Sequence, residues 1–86
     1  MQPDGFEPTE SIEKCTVLLS TQPVELYKIL KFEGLAPSGA EAKRLIGEGR
    51  VLVNGEIELR RRRKIVEHDL IQLDNLQLVM SIGSGE

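Results

Sequence analysis

Tryptophan is absent from this chain, aromatic residues total three among 86, and cysteine and histidine occur once each. Each shortage closes a route to function. One cysteine cannot build a disulfide framework, so a reducing, cytoplasmic setting is expected. One cysteine with one histidine cannot form a structural zinc site, so neither metal nor cofactor is expected. His68 stands beside Asp69, which suits a polar strand start better than a general base. Cys15 precedes Thr16 and Val17 in a β-forming stretch, where a buried, inert thiol is the expectation. No glycine-rich phosphate loop leads into a helix. Apolar runs reach no more than about four residues, far short of the roughly 20 that span a bilayer. The acidic start, with Asp4, Glu7, Glu10 and Glu13, does not read as a secretory leader. The expectation is a protein that is not an enzyme, with no small-molecule substrate and no membrane partner.

What remains is charge, and it is unevenly placed. The net charge of −3 conceals three zones. Residues 1–13 carry four acids and no base, and residues 65–86 carry four acids and no Lys or Arg. All 11 Lys and Arg residues fall between 14 and 64, against six acids. A polyanion responds to the local field within a Debye length rather than to the sum over the chain. The basic middle is therefore where function is sought.

Residues 1–13, with two prolines and no apolar periodicity, read as a flexible acidic tail. A single domain is expected over 14–82, with a frayed end at 83–86. Lys14–Leu19 is rich in β-formers and predicts a strand. Pro23 suits the first position of a helix, Glu25 its first turn, and Gly34 its end, so helix one is expected over about 23–33. Tyr27 and Phe32 fall in that helix, where core packing is expected. Ser38 with Glu41 three residues on is a capping box that opens a second helix, striped by Ala42, Leu45 and Ile46 and stopped by Gly47 and Gly49. Val51–Val53, the Asn54-Gly55 turn and a return near Glu56–Leu59 form a hairpin. Leu70–Leu73, a turn at Asp74-Asn75 and Leu76–Ile82 close the sheet. The fold class is α+β, with two short helices packed on a small mixed or antiparallel sheet.

The sharpest motif is Arg60-Arg61-Arg62-Arg63-Lys64. Guanidinium groups offer planar, paired donors to phosphate oxygens and stay charged at every cellular pH. A solvated charge run is the bland alternative, but the position inside a domain favours a structured binding loop. Lys43 and Arg44 lie off the apolar stripe of helix two, and Arg50 follows it. Ordinary surface charge is the competing reading for them, with Arg44 paired to Glu41 or Glu48. No aromatic residue is interleaved with the cations, so a stacking platform for single strands is not expected. Shape-reading of folded RNA through its phosphate backbone is expected instead, with steep salt dependence.

The middle of the chain also resembles a known family. Leu26 to Leu30, Ser38, Ala42, Leu45-Ile46, Gly49, Val51, Val53-Asn54-Gly55 and Asp69 to Leu73 match the S-four RNA-binding domain, the alpha-L motif. Val24 to Leu26, Leu30-Lys31, Glu33-Gly34, Ser38 to Ala40, Ala42-Lys43 and Lys64 to Val66 look like the YbcJ group of small stand-alone bacterial proteins. The resemblance implies a helical corner on a small sheet, with RNA contacts from helix two and the following loop. On this chain that points to Lys43, Arg44, Arg50, Asn54 and Arg60, Arg61, Arg62, Arg63 and Lys64, with Lys31 a lesser candidate. For Asn54 the positive-φ turn is the preferred explanation, so it ranks low among the contacts. Gly39 departs from the wider family, which often has a base after the helix-opening serine, so weight shifts to the 60–64 loop. The partner implied is structured RNA, ribosomal RNA first. The alternatives are a protein-interaction module that docks on the ribosome or on acidic partners, and a DNA-binding helix-turn-helix.

Overall fold

The computed structural model describes residues 12–82. The acidic stretch up to residue 11 and the expected frayed end at 83–86 lie outside the described residues. The chain runs β1 (Glu13–Leu19), β2 (Val24–Glu25), α1 (Leu26–Phe32), α2 (Gly39–Gly47), β3 (Val51–Val53), β4 (Glu56–Ile57), β5 (Lys64–Ile65), β6 (Leu70–Leu73) and β7 (Leu76–Ile82). The expected α+β architecture is present, with two short helices on a mixed sheet ordered β1-β7-β6-β3-β4. β1 runs parallel to β7 and the other neighbours are antiparallel. β2 and β5 form a separate antiparallel ribbon.

Alternation along the strands decides what is buried. Val17 and Leu19, Val51 and Val53, Ile71 and Leu73, and Leu78 and Met80 meet the helices in one core. Leu26, Ile29 and Leu30 of α1 and Ala42, Leu45 and Ile46 of α2 supply the helical side. Ile65, fully buried, ties the small ribbon to that core. The opposite sheet face, with Leu18, Val79 and Ile57, stays exposed. Cys15, expected to be buried, is exposed because β1 is an edge strand whose burial begins only at Val17. Among the described residues, no helix is long and apolar enough to cross a membrane.

The ends of the helices follow local rules except in one place. Gly34 and Gly49 take positive φ of 78° and 79° just past the two helices. The backbone N–H of Leu35 returns to Leu30 O at 2.9 Å and that of Arg50 to Leu45 O at 3.3 Å, the paired closure that such a glycine permits. α2 therefore ends at Gly47, with Glu48 as its cap and Gly49 closing it, where the two glycines were expected to stop it. At its start, Ser38 Oγ accepts from the Glu41 N–H at 3.2 Å, while the Glu41 carboxylate turns to Arg44. α1 is the exception. It starts at Leu26 rather than Pro23, and Glu25, in extended conformation, makes no side-chain cap. The first N–H donors are taken instead by a distant loop, Leu26 N to Arg63 O at 2.9 Å and Tyr27 N to Arg61 O at 3.1 Å. Pairing of β2 with β5 draws Val24 and Glu25 out of the helix, and nothing local in sequence announces it.

The β3–β4 turn has φ of 54° at Asn54 and 88° at Gly55, as the dipeptide predicts. β4 ends at Ile57, short of the expected Leu59, because Glu58 turns inward. Asn54 does more than adopt its φ. Its Nδ2 donates to Asp69 Oδ1 at 3.1 Å and its Oδ1 accepts from the Leu70 N–H at 2.9 Å, fastening the turn to the start of β6. Asn54→Gly keeps positive φ accessible and deletes both bonds. It is expected to lower stability by about 1–2 kcal/mol in urea unfolding. An unchanged midpoint would mean that backbone conformation alone selects this residue.

Candidate nucleic-acid interface

The basic run is a tight turn in which the Arg63 N–H donates to Arg60 O at 3.3 Å. Beneath it lies Glu58, 7% exposed and the one buried charged side chain among the described residues. Glu58 Oε2 accepts from the backbone N and the Nε of Arg60, both at 2.9 Å. Glu58 Oε1 accepts from Arg60 Nη2 at 2.9 Å and Arg63 Nη1 at 2.8 Å. Hydrogen bonding from the Arg60 side chain holds the carboxyl well below the usual carboxylate range, against the opposing push of burial, with Arg63 and the Arg60 backbone N–H adding to the effect. Both flanks of the turn are gripped by one acid. Arg61 and Arg62 at its tip meet no carboxylate among the described residues.

Tyr27 is where the loop and the helices converge. It is half-buried and packs against the core, as its helix position suggested, with part of its ring left open. Lys43 Nζ lies 4.5 Å from its ring centroid and Arg62 Cζ 5.9 Å, so two cations use the negative ring faces. Phe32, also expected inside, is 67% exposed, because it falls off the Leu26–Ile29–Leu30 stripe. Gly39 borders the same ring, and a Cβ there would stand 3.5 Å from Tyr27 Cε2. Gly47 has a different duty. A Cβ at that position would sit 2.6 Å from Arg61 Nη2, so the missing side chain lets the guanidinium rest at the C-terminal end of α2. A cation is favoured there by the helix dipole.

The ten residues singled out from sequence therefore divide. Lys43, Arg61 and Arg62 are brought together around Tyr27, and Lys64 follows on β5 opposite Glu25, exposed. None of these four has a carboxylate partner among the described residues; nor has Lys31, whose Nζ lies 5.8 Å from the Phe32 centroid. Arg60 and Arg63 are engaged by Glu58. Arg44 is held between Glu41 and Glu48, each at 2.6 Å, which raises its pKa further. Arg50 pairs with Asp74 at 3.1 Å. Asn54 is committed to its hairpin. Two organising residues escaped the sequence reading. An acid two residues before Arg60 and five before Arg63 is the available signal for Glu58. Tyr27 offers none, since both of its cations lie far along the chain.

Comparison with known proteins points to one family and one fold. The family profile described as S4 domain matches residues 17–80. The proteins named YbcJ from Escherichia coli (strain K12) and Shigella flexneri are each 56% identical to the chain over 43 residues. That match spans 50% of this chain and 61% of theirs, so the aligned part is short of two thirds of those relatives. The solution structure of YbcJ from E. coli, described as revealing an alpha-L motif involved in RNA-binding, superposes with a TM-score of 0.55 at 34% identity. It covers 86% of this chain and 95% of its own.

The depressed Glu58 carboxyl makes stability depend on pH in a defined direction. A carboxyl whose folded pKa is lowered contributes fully above its unfolded value, near 4.3, and loses that contribution as pH falls towards the folded pKa. At pH 7, Glu58→Gln is expected to be about 1–3 kcal/mol less stable than the parent. The gap should narrow as pH drops below about 4. Urea unfolding at several pH values reads it directly, and a gap that stays constant down to pH 2.5 would contradict the ion-pair assignment.

Proposed function

The chain belongs to the S4 domain family, and on that premise we propose that it is a non-catalytic protein that binds structured RNA through the phosphate backbone, ribosomal RNA first. One observation carries the reading. Lys43, Arg61, Arg62 and Lys64 are cations without carboxylate partners among the described residues, and three of them are gathered on the loop and α2 around Tyr27. Such cations displace condensed counterions when they meet phosphates, and that release drives association. The description of the E. coli YbcJ structure as an RNA-binding motif supports the same reading. A cytoplasmic location is part of it, in keeping with the single thiol.

The pairing pattern ranks the contacts. Arg44 and Arg50 already have carboxylates beside them, so phosphate must compete for their charge. Lys43, Arg61, Arg62 and Lys64 face no such competition. Asn54 has both its side-chain amide and its backbone N–H committed, the latter to Leu70 O at 2.7 Å, so it ranks after the cations. Four phosphate contacts correspond to a slope of roughly −3 to −4 in log affinity against log salt.

Fluorescence anisotropy with a labelled RNA hairpin, titrated at several salt concentrations, tests the ranking. Arg61→Ala and Arg62→Ala should each weaken binding and reduce the slope by about one. Arg44→Ala and Arg50→Ala should leave the slope nearly unchanged. Equal losses across all four variants would remove the distinction between paired and unpaired cations. A flat salt dependence in the parent would sink backbone recognition itself.

A further inference from the structure

Glu58 is difficult to understand as a product of charge alone. A surface selected only to be as cationic as possible has no use for a carboxylate directly beneath its arginine run. Here that carboxylate engages two of the five consecutive cations, Arg60 and Arg63, and cancels part of their field. Burial of an acid is itself costly unless it is well hydrogen-bonded. Glu58 is well bonded, through four contacts of 2.8–2.9 Å. What this arrangement yields is geometry. With its two flanks tied to one point, the turn has its tip residues Arg61 and Arg62 set in place. The carbonyls of Arg61 and Arg63 are likewise set, and they receive the N–H groups of Tyr27 and Leu26.

We propose that Glu58 is a positioning residue for RNA recognition: its clamp on Arg60 and Arg63 fixes the turn so that Arg61 and Arg62, with Lys43 across Tyr27, present a preset spacing of cations to the phosphate backbone. The proposal rests on the RNA-binding reading above and deepens it. Binding energy from ion contacts is diminished by the cost of ordering the side chains that make them, so a preformed turn binds more tightly than the same charges on a loose one. The clamp also reaches beyond the loop. Tyr27 is held at its backbone by Arg61, and its ring faces Lys43 and Arg62, so the position of the turn is relayed to α2.

The experiment exploits a difference in sign. Glu58→Gln removes one negative charge from the region, so a purely electrostatic surface should bind RNA more tightly. Positioning requires the reverse. We expect folded Glu58→Gln to bind an RNA hairpin about three- to tenfold more weakly at moderate salt. Amide spectra recorded beforehand establish that the variant is folded at the assay temperature. Arg63→Lys is the second variant, used whether or not the first folds. It conserves charge but replaces the planar fork that reaches Glu58 with a point charge. Electrostatics alone predicts no change for it, and positioning predicts a similar loss. A folded variant of either kind that binds as tightly as the parent, or more tightly, overturns the proposal. A parent that fails to bind the hairpin overturns the RNA reading itself, and that outcome is distinguishable because it needs no variant.

Discussion

The Glu58 carboxylate accepts hydrogen bonds from Arg60 and Arg63, and those two residues fix the turn whose carbonyls receive the first N–H groups of α1. A helix N-terminus normally relies on a nearby side chain to satisfy its free donors. Here Glu25 provides no such cap, and the loop more than 30 residues away supplies the acceptors instead. The consequence is mutual dependence. α1 needs the loop to begin where it does, and the loop needs the core behind α1, through Ile65 and the β2–β5 ribbon, to remain where it is. A run of like charges that would repel itself in an open chain is thereby given a defined shape.

This explains how a protein of net charge −3 carries a compact cationic site. Several acids stand directly against particular cations. Glu41 and Glu48 neutralise Arg44, Asp74 neutralises Arg50, and Glu58 neutralises part of the arginine run. The exposed pairs, those of Arg44 and Arg50, add little stability. In the proposed RNA-binding reading their effect is on recognition, because they subtract some cations from the field and leave Lys43, Arg61, Arg62 and Lys64 without carboxylates beside them.

Much of the fold is legible in the sequence because it is encoded locally. Ser38 caps α2, Gly34 and Gly49 close the helices, and Asn54-Gly55 turns the hairpin, each by a conformational preference confined to a few residues. The α2 stripe of Ala42, Leu45 and Ile46 likewise follows from helical spacing. The departures share a different cause. α1 begins late because β5 pairs with β2, Tyr27 packs on the core yet also meets Lys43 and Arg62 with its ring, and Gly47, the last residue of α2, also makes room for Arg61. All three depend on contacts between distant parts of the chain. The arginine run is visible at once in sequence, whereas its division into clamped flanks and a free tip requires the buried position of Glu58, which an isolated acid in a charged stretch does not disclose.

RNA is proposed to meet the protein on the surface formed by Lys43, Arg61 and Arg62 around Tyr27, with Lys64 following on β5. The most direct measurement is a titration of isotopically labelled protein with an RNA hairpin, followed by chemical-shift changes of backbone amides and the Tyr27 ring. The account predicts that the largest changes fall on those five residues, while Thr16, Leu70 and Val79 on the uncovered face of the sheet stay still. Shifts concentrated on that sheet face, with the arginine turn unmoved, would contradict it.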